Sequence, residues 1–256
     1  MRRYRFSYQT IERYDSMVSN HTFQLRCTPY DAPFQRLEEH HLNLLSSVKV
    51  SRSEDVFGNI IHYGGLRAKH DLFVVSSSGV VACESYAISD PSPMQIYLHP
   101  TPLTTMNDDI SSFDETFGAE GSALDVALRL SEGIYNFMKY VSGSTSVTTT
   151  AADSFRAGEG VCQDFSHLLI AMCRKRVIFA RYVAGFVVGT GETHAWVEVW
   201  SDGVWYGIDP THNLKVESGY IKVAHGRDAA DCSVIRGMRV GVTNQVTQVR
   251  VFVEPI

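Results

Sequence analysis

At 256 residues, with 44% hydrophobic and 20% charged side chains, the chain has an ordinary globular composition and room for one large domain or two smaller ones. A formal charge of -5, without a basic run, gives no sign of nucleic-acid or membrane-surface partners. Five cysteines (Cys27, Cys83, Cys162, Cys173, Cys232), odd in number and without CxxC spacing, argue against a disulfide framework or a zinc ribbon and fit a reducing compartment.

Residues 1–6 are basic but no apolar stretch follows, so no secretory signal is expected. No run approaches the ~20 apolar residues of a membrane-spanning helix, and the expected address is the cytoplasm. Tyr4, Phe6 and Tyr8 alternate with polar residues, as do Phe23, Leu25 and Cys27, the period of two half-buried strands. Residues 51–55 read as a turn after Val48 and Val50, with a second hairpin arm at 60–63. Residues 72–75 and 80–83 flank 76–79 as another hairpin. Short strands with turn signals between them predict a small all-β sandwich over residues 1–105. Pro91, Pro93, Pro100 and Pro102 then mark an extended connector.

Residues 106–256 change character. Ala127, Leu130, Ile134, Phe137 and Val141 form a helical stripe, and 142–152 reads as loop. A second helix runs from Cys162 to Arg176 with Phe165, Leu168, Leu169 and Met172 inward. Its last turn, Arg174-Lys175-Arg176, reads as a solvated end where cations meet the negative pole of the helix dipole. Strands follow at 181–188, 194–200, 204–208 and 246–253.

Three residues stand out. Cys162 sits where a glycine-containing loop meets a helix, and the exposed N–H groups of the first turn favour the nucleophilic thiolate. A cysteine so placed is by itself more often a small buried hydrophobe. A turn at 201–203, however, brings His194 opposite Asp209 to within one residue, close enough for an imidazole–carboxylate hydrogen bond. Alternation puts Ala195, Val197 and Val199 on the core face and His194, Trp196 and Glu198 on the other. A thiol, an imidazole and an orienting acid are the parts of a nucleophilic acyl-transfer site.

The stretches Gly160-Val161-Cys162-Gln163-Asp164-Phe165-Ser166-His167, His194-Ala195-Trp196-Val197-Glu198-Val199 and Trp205-Tyr206-Gly207-Ile208-Asp209-Pro210-Thr211 resemble bacterial transglutaminase-like proteins of the papain-like cysteine-protease superfamily. Gly226-Arg227-Asp228 and Arg236-Gly237 look like further features of that family, and residues 55–59 resemble its all-β N-terminal region. The resemblance implies an α+β fold: a papain/transglutaminase-like core, with a cysteine-bearing helix packed on an antiparallel sheet, behind the β-domain. It also implies Cys162 as nucleophile, His194 as general base and acid, and Asp209 as orienter. Gln163 and Trp196 are candidates for the second oxyanion donor or the cleft wall. Asp164 and His167 read as structural, and His212 as an exposed loop histidine.

The reading is a cysteine amide hydrolase or acyl transferase working through a thioester, with hydrolysis favoured over transamidation. Its partners would be peptide, isopeptide or other amide substrates. No cofactor is implied. Metal ligation by Cys162, His194, Asp209 and His212 is disfavoured because none shows HxxxH or CxxC spacing. The alternative is a catalytically inactive scaffold that keeps the fold.

Overall fold

The computed structural model describes residues 1–45 and 48–256. Its strands are β1 (Arg2–Leu25), β2 (Gln35–Leu44), β3 (Val50–Glu54), β4 (Ile60–Leu66), β5 (His70–Cys83), β6 (Ile88–Ser89), β7 (Lys139–Tyr140) and β8 (Glu159–Gly160). They continue with β9 (Ala180–Val187), β10 (Gly189–Gly191), β11 (His194–Ser201), β12 (Val204–Asp209), β13 (Leu214–Lys215), β14 (Tyr220–Gly226), β15 (Ile235–Val240) and β16 (Gln245–Pro255). The helices are α1 (Asp108–Asp114), α2 (Ala123–Phe137), α3 (Ala151–Ala157) and α4 (Cys162–Lys175).

An N-terminal all-β region precedes an α+β core. The two strands expected at Tyr4–Tyr8 and Phe23–Cys27 fall at the ends of one 24-residue strand, β1, which stops at Leu25 and leaves Cys27 outside it. Buried positions are even-numbered from Tyr4 to Val18 and odd-numbered from His21 to Leu25. The change of face coincides with register shifts between Arg13 and Val18 and between Ser19 and Thr22, and with Asn20 at φ 47°. A bulge of this kind re-aims a strand without ending it. Residues 76–79 are not a turn either. Ser76–Gly79 pair with Gln9–Phe6 inside the continuous strand β5, and the buried Ser77 hydroxyl donates to the Cys27 carbonyl at 2.6 Å. Ser51–Glu54 likewise form the β3 arm, and the turn falls at residues 55–59, where Asp55 Oδ1 accepts from the Phe57 and Asn59 amides.

The C-terminal strands return to this first sheet. β16 pairs with the first half of β1 and β15 with its second half, so the expected division at residue 105 does not follow the sheets. Local sequence carries no record of such pairing between the two ends of a chain.

The core sheet runs β13-β12-β11-β9-β14, antiparallel throughout. One face packs on α2 and α4 through Leu130, Ile134, Phe165, Leu168, Leu169 and Met172. The other face is also covered: Phe34 and Tyr86 meet Trp196 and Tyr220, and Phe6 stacks on Phe186. Two-sided cover makes β14 buried along its whole length and also buries Trp196 and Glu198, which alternation alone leaves facing outward.

The helical stripe ends sooner than expected. α2 stops at Phe137 and the chain enters β7, leaving Val141 outside the helix. Within the supposed loop, α3 begins at Ala151 behind the Thr150 cap, whose hydroxyl accepts from the Asp153 amide. The basic end of α4 is anchored, not solvated. Arg174 is buried and donates to the carbonyls of Tyr97, Ala180 and Arg227, and Arg176 Nε meets Asp114 Oδ1 at 2.8 Å.

Candidate active site

Cys162 is the first residue of α4, reached through β8. A side chain on Gly160 would overlap Asp164, with its Cβ 2.7 Å from that residue's Cβ, so only glycine lets Asp164 fold back over the helix entry. There Asp164 Oδ2 accepts from the Val161 amide at 2.8 Å and from Thr145 Oγ1 at 2.6 Å. Burial pushes the Asp164 carboxyl up against these hydrogen bonds. The result is a clamped first turn with Cys162 half-buried on the wall of an open cleft of about 1370 Å³. The other four cysteines are buried.

His194 opens β11 and lines the same cleft. The β11–β12 register runs from Ser201↔Val204 to Val197↔Ile208, so the turn holds two residues, Asp202 and Gly203. Their φ angles of 52° and 86° mark a type I′ turn, which suits the twist of a hairpin. Relative to the sequence-based expectation the register is displaced by two positions from direct opposition. Asp209 falls across from Trp196 and is the diagonal neighbour of His194. A displacement of two keeps both side chains on one face, where a displacement of one would have separated them. His194 Nε2 lies 2.7 Å from Asp209 Oδ2.

Asp209 is fully buried and densely hydrogen-bonded. Its Oδ2 also meets His212 Nδ1 at 2.8 Å and accepts from Tyr220 Oη at 2.7 Å, while Oδ1 accepts the amides of Thr211 and His212 at 2.9 and 3.3 Å. Burial opposes ionisation of this carboxyl, but the donors from His194, His212 and Tyr220 outweigh it and hold its pKa well below the ordinary range. Burial likewise opposes the His194 imidazolium, yet contacts with Asp209 and Cys162 prevail and raise its pKa to about 10. Both neighbours thus favour the protonated ring, which sits between the Asp209 carboxylate and the Cys162 sulfur.

The remaining residues separate into those on the cleft and those off it. Gln163 lines the cleft, but its amide Nε2 donates to the Ser146 carbonyl at 3.2 Å. Trp196 is fully buried and donates its indole N–H to Tyr86 Oη at 2.9 Å, so it offers no donor to the cleft. His167 is buried beneath, where its Nε2 accepts from the Ala229 amide at 3.2 Å, and burial lowers its pKa to about 4. His212 is exposed as expected, yet it is tethered to Asp209, which the sequence did not suggest. Tyr220 escaped notice because Lys222 interrupts the apolar pattern of β14; the turn glycine Gly219, at φ 96°, is the signal that marked a strand there.

The ligand-type atoms of His194, Asp209 and His212 lie within 4.8 Å of one another. Both imidazoles point these nitrogens at one carboxylate oxygen, an arrangement that two N–H donors satisfy without an ion.

Comparison with known proteins agrees with this architecture. The model of the transglutaminase-like superfamily matches residues 112–210, and that of the bacterial transglutaminase-like N-terminal region matches residues 4–82. The chain belongs to the bacterial transglutaminase-like proteins, with that family's core behind its N-terminal region. An uncharacterized protein of Mycobacterium tuberculosis strain H37Rv is 29% identical over 99% of this chain and 93% of its own length. One from Mycobacterium leprae is 28% identical over 94% of each. A solved structure from Cytophaga hutchinsonii, described as a candidate cysteine protease, has a TM-score of 0.83 at 23% identity, covering 100% of this chain and 92% of that one. The fold is shared. Among the described residues no helix is long and apolar enough to cross a membrane.

Proposed function

We propose that the protein is a cysteine amide hydrolase, with Cys162 as nucleophile, His194 as base and acid, and Asp209 as the group that orients His194. The observation that carries this reading is a single imidazole lodged between Asp209 and Cys162 on the wall of an open cleft. The Cys162 sulfur attacks the carbonyl carbon of an amide, and the oxyanion is held by backbone N–H groups at the α4 terminus. His194 gives its proton to the departing amine, leaving a thioester on Cys162. Water then releases the acid. Hydrolysis is favoured over transfer to a second amine because the cleft is open to solvent, and water needs no dedicated pocket.

The substrate class is a peptide, isopeptide or other amide. The test is alkylation followed by turnover. Iodoacetamide should modify Cys162 below pH 8 far faster than Cys27, Cys83, Cys173 or Cys232, and His194→Ala should slow that reaction. Peptide amides supplied with a labelled primary amine should yield mainly free acid. Slow, equal labelling of all five cysteines would leave only an inert scaffold, and exclusive amine incorporation would make the protein a transamidase.

A further inference from the structure

Between β9 and β11 the chain leaves the core sheet. β10 (Gly189–Gly191) crosses to the other sheet, pairs there with β16, and returns directly to His194 at the start of β11. All of β10 is exposed, and all of it lines the cleft that holds Cys162 and His194. β16 occupies one edge of β10. The other edge has no strand partner, and residues 189–191 make no hydrogen bond to any further element among the described residues.

An unpaired edge is a template for another strand, and proteins usually blunt it with charge, proline, a bulge or a cover. The other single-partner strands of that sheet are so protected. β2 carries Arg36, Glu38 and Glu39 with a bulge after Leu37, β3 carries Arg52 and Glu54, and β15 carries Arg236 and Arg239. β10 reads Gly-Thr-Gly and has none of these devices. The register sets Gly191 in one row with Val251 and Tyr8, and Gly189 in one row with Val253 and Phe6, so both glycines lie on the inward face of the sheet. A Cβ built at either meets nothing within 4 Å, which leaves the space before them open. Val188 and Val249 add apolar surface to the same cleft. Its volume of about 1370 Å³ exceeds the ~300–1,000 Å³ that encloses a small molecule.

We infer that the free edge of β10 receives the main chain of an extended peptide, which adds as a strand and lays its scissile amide between Cys162 and His194. The inference rests on the proposed cysteine amide chemistry and narrows its substrate to a linear peptide. Strand addition draws its affinity from main-chain hydrogen bonds, while alternate side chains of the added strand find surface on one face. Because β10 runs straight into β11, a peptide on its edge is held in a fixed relation to the His194 ring.

The test gives the native protein and Cys162→Ala a mixture of randomised decapeptides, acetylated and amidated at their ends, and reads cleavage by mass spectrometry. The native chain should cleave internal bonds and the variant none. A cleaved peptide is then resynthesised with one backbone amide N-methylated at a time. Along the stretch that lies on β10, every second methyl should lower kcat/KM about fivefold, the worth of one hydrogen bond, and those between should be tolerated. Trimming that stretch away should cost at least about 25-fold, the product of two such bonds. Losses without alternation, or full activity in the trimmed peptide, would overturn the inference. So would the absence of any cleavage by a protein whose Cys162 is acetylated by p-nitrophenyl acetate. Cleavage by Cys162→Ala, or failure of the native protein to form acetyl-Cys162, would instead strike the thioester reading itself.

Discussion

Tyr220 donates its hydroxyl to Asp209 Oδ2 at 2.7 Å, although β14 and β12 are separated in the sheet by β11 and β9. The phenol passes beside both rings of the site face, with centroids 6.2 Å from His194 and 5.3 Å from Trp196. It is thus a donor to the buried carboxylate that also packs against the ring the carboxylate orients.

Removing this donor should lower stability in a pH-dependent manner. A hydrogen bond to a charged group is worth about 1.5–3 kcal/mol, and Tyr220→Phe should lose about that much in urea unfolding at pH 7. The folded-state pKa of Asp209 lies below its unfolded value of about 3.9, so its contribution is complete above that pH and is lost as pH falls through the folded value. The deficit of the variant should accordingly fade in acid. A deficit of the same size at pH 7 and in strong acid would mean that the phenol acts through packing alone.

His194 behaves in the opposite sense. With its pKa raised to about 10, it adds stability that is complete below its unfolded value of about 6.5 and is lost as pH rises towards 10. NMR titration of the ring should find a midpoint far above 6.5 in the native chain and a lower one in Cys162→Ala, because Cys162 is one of the groups that hold the proton. Unfolding midpoints should fall between pH 6.5 and 10, less steeply in that variant. A native ring that titrates at or below 6.5 would refute the arrangement.

Which features were legible in the sequence depends on the span of the interaction behind each. The α4 entry reads directly, since a glycine, Cys162 and an inward series from Phe165 to Met172 are local. The His194–Asp209 pairing is legible because a hairpin of two adjacent strands makes it; its register was displaced by two, which preserved the face. β1 was divided because its exposed middle looks like a strand end, whereas β5, β15 and β16 continue to pair around a bulge. Arg174 looked solvated because its acceptors come from distant carbonyls of Tyr97 and Arg227. Tyr220 and His212 were missed as site residues for the same reason: no local period says that a loop and a remote strand converge on Asp209.

Gly185 lies opposite His194 in the β9–β11 register. A Cβ there would stand 2.2 Å from the Ile221 carbonyl oxygen and 2.5 Å from the Trp196 ring, and neither a ladder carbonyl nor a buried indole can retreat. Gly185→Ala should therefore destabilise by about 1–3 kcal/mol and slow Cys162 alkylation by displacing β11. Gly191, on the cleft rim, has nothing within 4 Å of a built Cβ, and Gly191→Ala should leave thermal unfolding nearly unchanged. Equal melting shifts for the two variants would contradict the packing described.

Behind the site, Glu198 is buried with Arg181 and Lys222. Lys222 Nζ lies 2.7 Å from both carboxylate oxygens, Arg181 Nε donates to Oε2, and Tyr86 Oη donates to Oε1 at 2.6 Å. Burial opposes ionisation of Glu198, but Arg181 and Lys222 outweigh it and hold its pKa at about 2. Tyr86 in turn receives the Trp196 indole N–H, which ties the cluster to the strand of His194. Glu198→Gln would strand two buried cations, a change that costs about 3–5 kcal/mol. The penalty should depend on pH through Lys222, which burial and the neighbouring Arg181 already pull down to about 7 despite Glu198. Without the acid, Lys222 releases its proton more readily, and its folded pKa then lies far below the unfolded value of about 10.4. Stability of the variant should therefore climb as pH rises from that lowered folded value to about 7, narrowing the gap to the native chain, and above about 7, where native Lys222 also loses its proton, the two should rise in parallel. Arg5→Gln, which breaks the exposed pair with Glu254, should produce little change at any pH. A small, pH-independent loss for Glu198→Gln would mean that water reaches the cluster and that these charges are not held apart from solvent.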